Sequence, residues 1–244
     1  MKIKPIRTEK IVGRQKIEDI LDKCINKIDE GSVLAVTSKI VSICEGNVVD
    51  AETVNKTKLI RNEAELFLSA DNRFGIAITI KDHILIPMAG IDESNGNGKL
   101  ILWPKNPQKS ADLIRAYLLR RFNVKNVGVI ITDSKTTPLR WGTSGIAIAY
   151  SGFEALNDYI GNKDLFGREL MATKASIADG LAASAVLVMG EGSEQTPLAL
   201  ITEVPFVKFR KNNPTQKELL ELRIDIKNDL YGTILNSVKW KKKK

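Results

Sequence analysis

NVGVIITDSKTTPLRWGTSG, residues Asn126 to Gly145, is the stretch on which the reading of this chain turns. Val127 to Thr132 is apolar and β-branched, which predicts a buried strand. The run ends on Asp133-Ser134. Two Thr, a Pro, an Arg, a Trp and two Gly follow, a composition that cannot continue a strand. A carboxylate and a hydroxyl at the end of a buried strand form a rigid platform with oxygens facing a loop. Hard cations such as magnesium want that arrangement. Asp133 can instead cap the following turn through its own backbone, as Asp often does.

Outward from this stretch, the chain mixes hairpins with helices. Lys2 to Ile6 predicts an opening strand. Ile17, Ile20, Leu21, Cys24, Ile25 and Ile28 repeat at helical spacing, predicting an amphipathic helix ended by Gly31. Val33 to Val36 predicts a strand running into TSKIVSICEG, with Asn47-Val48-Val49 as its partner across the Gly46 turn. Glu63 to Ala70 reads as helix, and IAITI and HILIP as a hairpin joined at Lys81-Asp82. Ala89 to Lys99, AGIDESNGNGK, is a polar loop before the strand LILWP: an ordinary hairpin turn or a set of oxygen ligands and amide donors. Ser110 to Phe122 is helical by its apolar face, and Ile146 to Tyr150 is a further strand. Asp158 to Leu170 suits a structured loop. Ser176 to Met189 is alanine-rich, as a tightly packed buried helix requires, and ends in Gly190-Glu191-Gly192. Backbone can approach a ligand closely at those glycines, or they simply stop the helix. Pro197 to Val204 predicts a strand, and one or two helices follow Pro214. Without regular βαβ alternation, the class is α+β, with mixed or antiparallel sheets and packed helices.

Composition excludes several chemistries. The 244 residues are 43% hydrophobic, enough for one large or two small cores. Net charge is +8, but five of the positive charges sit in the terminal KWKKKK, and the rest is only mildly basic. A lysine tail is ordinarily a solvated end, and nucleic-acid binding rests on it alone. The one histidine, His83, lies in a strand-like alternation and rules out paired-histidine metal sites. Neither common phosphate-loop pattern occurs. Cys24 and Cys44 are isolated and read as packing residues, which fits a reducing compartment. No signal peptide opens the chain and no apolar run reaches membrane-spanning length. A cytoplasmic protein without membrane contact is expected.

Five stretches in order resemble one family, the coenzyme F420:L-glutamate ligases. They are AGIDESNG at Ala89, the IITDS strand end with RWGTSGIAIAYSG after it, DYIGNKDLFGREL, ADGLAASAVLVMGEG, and TSKIVS at Thr37 followed by EG. The resemblance covers roughly the first 200 residues and leaves 205–244 as a divergent helical segment with a basic tail, packed on the same domain as 1–204. It implies a γ-glutamyl ligase fold, a homodimer, and GTP-dependent γ-linkage of L-glutamate on a cofactor tail. It also implies magnesium or manganese, with potassium as a further cation. By position, Asp92 and Asp133 would be metal carboxylates, and Ser134 stands where the family usually has a Thr ligand. Ser38 and Asn95 would contact the nucleotide. Glu191, with Met189, Gly190 and Gly192 beside it, would lie by the phosphates and a second metal. The chemistry agrees: amide formation from a carboxylate needs activation, most simply as an acyl phosphate, and phosphoryl transfer is mainly positioning and charge neutralisation. Arg140 would hold a phosphate or carboxylate, or serve only in a surface ion pair.

Two departures stand out. A Lys usual in the family is Ile43 here, and the Gly-Arg pair usual after Asp133-Ser134 is replaced by Lys135 to Leu139. The loop change admits the same ligation on a folate or other pterin acceptor. The loss at Ile43 admits a nucleotide- or metal-binding homologue without ligase activity.

Overall fold

The long β-branched runs become the centre of the protein, whose structure, a computed structural model, describes residues 1–69 and 71–242. In chain order the elements are β1 (Lys2–Ile6), α1 (Ile17–Cys24), β2 (Ser32–Thr37), α2 (Ser38–Glu45), β3 (Val48–Asp50), α3 (Lys56–Glu63), β4 (Leu66–Leu68), β5 (Ile78–Lys81), β6 (Ile84–Pro87), β7 (Lys99–Ile101), α4 (Pro107–Phe122), β8 (Val127–Thr136), β9 (Thr143–Ser151), β10 (Leu156–Asp158), β11 (Lys174–Ser176), α5 (Ile177–Met189), β12 (Leu198–Thr202), α6 (Gln216–Glu221), α7 (Gly232–Ser237) and β13 (Lys241–Lys242).

The main sheet has the order β1-β12-β2-β8-β9. Only β2 and β8 run parallel among the described strands, from Ser32↔Val127 to Thr37↔Thr132. Both faces of the sheet are covered, which is why these two strands read as continuous apolar runs rather than alternating ones. On one face Leu21 and Ile25 with Ile114 and Leu118 of α4 pack on Leu34, Val36, Val129 and Ile131. On the other, Ala178, Ala182 and Ala185 of α5 pack on Val33, Ala35, Ile130 and Ala147, joined by Leu219 and Leu222. The alanines bring α5 close: a Cβ at Gly145 would fall 2.4 Å from the Ala182 carbonyl oxygen. A second sheet, β13-β4-β5-β6, and the β3–β7 ladder enclose a smaller core of Ile60, Ala64, Phe67, Ala89, Ile91, Leu100 and Leu102. The α+β class is as expected.

Several expectations about local structure are corrected. SKIVSICE is α2, not an extension of β2: the hydroxyl of Thr37, the last residue of β2, accepts from the Ile40 N–H at 3.4 Å, and Gly46 at φ +70° ends the helix. Val48 and Val49 pair with β7 instead of β2. The predicted helix over 63–70 lies earlier, as α3, capped where Asn55 Oδ1 accepts from Lys58 N at 2.9 Å. Leu66 to Leu68 turns to strand because β5 supplies a partner; Ala70 is outside the described residues. His83 is in the turn between β5 and β6, at φ +62°, not in a strand. The first helix also stops early: Ile25 is extended, yet it and Ile28 stay buried as the chain descends toward β2. The lysine tail is not wholly free, since Lys241 and Lys242 pair with β4; Lys243 and Lys244 are outside the described residues.

Candidate active site

A cleft of about 870 Å³ opens at the carboxyl end of the parallel pair, the usual place for ligands in sheets with parallel strands. There β2 hands over to α2, and β8 extends four residues past its parallel partner, to Thr136; the strand does not end at Asp133-Ser134 as expected, because β9 pairs with Lys135 and Thr136. One residue before Asp133 the β8–β9 ladder carries a bulge. Ile131 faces Ala149 but Thr132 faces Ala147, so Ile148 is the extra residue. Bulges commonly re-aim side chains beside active sites. After it, Asp133 and Ser134 point to opposite faces, and the cleft wraps the strand end to use both.

On the Asp133 side, the indole N–H of buried Trp103 and the Ser134 backbone N–H, at 2.8 Å, donate to the Asp133 carboxylate. Burial lifts this carboxyl to about 6, against the pull of those two donors, and the Asp92 charge adds to the lift. Asp92 leaves the loop before β7. Its Oδ1 accepts from Ser94 N at 2.7 Å, and its Oδ2 pairs with the Lys39 ammonium at 2.6 Å. Burial pushes the Asp92 carboxyl up, but the Lys39 and Ser94 interactions outweigh it, and the net direction is down.

On the other face, Ser134 Oγ donates to Glu191 Oε1 at 2.6 Å, and Thr143 Oγ1 reaches the same oxygen at 3.3 Å. Glu191 follows Gly190, whose φ of +80° strains any residue with a Cβ, and the end of the Glu194 side chain lies beside it. Asn95 Nδ2 donates to the Gly192 carbonyl at 2.9 Å, joining the 92–95 loop to the 190–195 loop across the cleft. Ser38 is buried in the first turn of α2 and Met189 at the end of α5, and both line the cleft.

All of the sequence-proposed cleft residues thus meet: Ser38, Asp92, Asn95, Asp133, Ser134, Met189, Gly190, Glu191 and Gly192 line one cavity. Arg140 does not. It sits at the β8–β9 turn, outside the lining, and has no ion-pair partner among the described residues. Two residues were missed. Lys39 brings an ammonium into the cleft that Ile43, also a lining residue, does not supply. Trp103 orients Asp133. The signal for Lys39 was present, a lysine in the first turn of a capped helix; none marked Trp103.

The donors are hard oxygens from carboxylates and a hydroxyl, with neither His nor Cys among them, which fits magnesium or manganese better than zinc. They do not form a ready cage: no three His, Cys, Asp or Glu are grouped to hold a metal among the described residues. They stand instead as two halves, Asp92 with Asp133 and Ser134 with Glu191, on either side of the β8 end.

An α+β fold around one parallel pair, with a carboxylate-lined cleft at its end, defines the class. The chain belongs to the F420-0:gamma-glutamyl ligase family, whose model matches residues 5–203. Its similarity to named relatives spans most of both chains. It is 37% identical over 198 residues to the coenzyme F420:L-glutamate ligase of Methanocaldococcus jannaschii, covering 73% of this chain and 79% of that one. It is 38% identical over 209 residues to the enzyme of that name from Methanococcus maripaludis, covering 79% and 83%. For the one from Methanopyrus kandleri the identity is 33% over 220 residues, covering 82% and 86%. No described helix is long and apolar enough to cross a membrane.

Proposed function

We propose that this protein is a GTP- and divalent-metal-dependent ligase that adds L-glutamate to the carboxylate tail of coenzyme F420 through an acyl phosphate. The observation that carries the reading is the convergence of Asp92, Asp133, Ser134 and Glu191 on one cleft from three separate parts of the chain. Family membership and the names of the relatives support the acceptor.

Asp92 and Asp133 would hold one divalent cation and Ser134 with Glu191 a second. Bound there, the cations neutralise phosphate charge and polarise the group being transferred. The rest falls to the chain itself. Lys39 places a positive charge beside Asp92, where it offsets phosphate charge that Ile43 cannot. Trp103 and the Ser134 amide fix the direction of the Asp133 carboxylate. Asn95 and Gly192 hold the two rims in register. The acceptor carboxylate oxygen attacks the γ-phosphorus and GDP leaves. The glutamate amine then attacks the acyl carbon, phosphate departs, and the amine proton passes to it or to water.

The test is mass spectrometry of F420-0 incubated with L-glutamate, GTP and manganese, with ATP and folate run in parallel. Product heavier by glutamyl residues, with glutamate-dependent release of GDP, is expected. Extension of folate instead of F420-0 would move the acceptor to a pterin. No glutamate-dependent nucleotide turnover with either acceptor would leave a binding protein.

A further inference from the structure

The surface that leads out of the cleft carries a feature the reaction above does not use. Strands β8 and β9 run on past Asp133 to their turn, where Trp141 is 85% exposed; beside it Phe74, from the loop before β5, is 59% exposed. The two rings meet edge to face, with centroids 6.4 Å apart and planes at 89°. The Arg73 guanidinium lies over both, 4.7 Å from the Phe74 centroid and 5.6 Å from that of Trp141. Leu139 and Ile76 nearby in sequence are exposed too. A cluster of large apolar side chains left in water marks a contact surface.

Its chemistry narrows what it contacts. Arg73, Arg140 and Lys135 lie on these same two loops and the strand between them. None has an ion-pair partner among the described residues. Aromatic faces beside uncompensated guanidinium groups suit a planar conjugated ring with an anionic arm. The position suits it as well. Trp141 lies five residues from Ile146, the ladder partner of Asp133, a span of at most about 17 Å of chain. A ring on this surface can therefore send an extended arm along the hairpin to the cleft floor.

We propose that Trp141 and Phe74, with Arg73 over them, form the shelf that holds the aromatic ring of the acceptor. The identity of that occupant rests on the ligase reading. Lys135 and Arg140 then face the anionic arm, and the shelf sets which ring system the enzyme accepts.

Equilibrium dialysis of the full-length protein against F420-0, with nucleotide and glutamate left out, reads the ring's binding directly. Initial rates give a KM for each substrate. Trp141→Ala is expected to raise the acceptor's Kd and KM about tenfold or more, the size of a lost stacking platform, with the KM values for GTP and glutamate unchanged. Trp141→Phe keeps most of the affinity. An unchanged acceptor Kd in Trp141→Ala overturns the shelf, as does a wild-type protein that binds neither F420-0 nor folate. So does loss of self-association in light scattering with acceptor binding intact, because the patch would then meet a second copy of the chain. Binding of F420-0 without ligation defeats the ligase reading and spares the shelf. Ligation with an unaltered acceptor KM in Trp141→Ala does the reverse.

Discussion

The two ends of the β8 extension differ in how they are held. At the cleft floor, key side chains are tied to residues far away in the chain: Ser134 to Glu191 across 57 positions, Asp133 to Trp103 across 30, Asn95 to Gly192 across 97. At the turn, a few residues on, the described side chains of 137–142 make no such bonds. Leu139 adopts φ +62° and is fully exposed, and Trp141 stands in solvent beside Phe74. The floor is held by the fold from several directions, as the positioning role proposed for it requires. No long-range side-chain hydrogen bond holds the turn among the described residues; its distant contacts are those of the Trp141 ring with Phe74 and Arg73.

Substitution at the floor gives the largest effect. Asp133→Asn is expected to lower kcat on the order of a hundredfold or more, as loss of a charge-stabilising group does. A turnover within tenfold of wild type would remove Asp133 from the cation site. The same variant tests the electrostatics in metal-free protein. Burial raises the folded-state pKa to about 6 from the ordinary 3.8, so the proton is held more tightly in the folded than in the unfolded chain. That contribution to stability is complete below the ordinary value and fades as pH rises through 6. Above pH 6, Asp133→Asn should therefore melt a few degrees higher than wild type (a scale of about 2–4 °C per kcal/mol), and at pH 4 no higher. Thermal scans from pH 4 to 8 decide it.

Next comes the support of the floor. Gly90 has φ +70°, and a Cβ there would lie 2.1 Å from Trp103 Nε1. Gly90→Ala must displace the indole that holds Asp133, and is expected to cost about 2 kcal/mol or more in urea unfolding, with activity falling in step. A smaller change is Ser134→Ala, which frees Glu191 of its closest partner. About tenfold in kcat is expected, and Ser134→Thr should restore most of it because the hydroxyl returns. Least of all, Leu139→Asn at the turn should raise stability by a few tenths of a kcal/mol, since Asn tolerates the left-handed region and Leu does not. A loss there instead would show that the turn is held from inside after all, and the contrast with the floor would be gone.

The same contrast explains what could be read from the amino acids. Strands such as Val127 to Thr132 announce themselves as unbroken apolar runs and helices such as Pro107–Phe122 by an apolar face, and the cleft carboxylates sat in motifs that keep their order. The segments misassigned were those whose state depends on a distant partner. Leu66 to Leu68 is strand because β5 lies beside it, and Val48 to Asp50 because β7 does. SKIVSICE is equally apolar by either period, and a single cap at Thr37 tips it to helix. Trp103 and Lys39 belong to the same category. Their importance comes from the carboxylates they meet, which sequence spacing does not bring together.

The extra residue at Ile148 has a consequence of its own. Along a strand, side chains alternate sides strictly, so one inserted residue reverses the parity of everything beyond it. Above the insertion Ala149 belongs to the α4 side; below it Ala147 belongs to the α5 side. Excise Ile148 and the ladder could zip up evenly. Ala149 and Ala147 would still lie on opposite sides, so Gly145 would go on facing Ala182; what disappears is the second side chain, Ile148, that the α4 side receives in succession. The sheet would keep its ladder and lose the extra local twist that a bulge gives the strands where they enter the cleft.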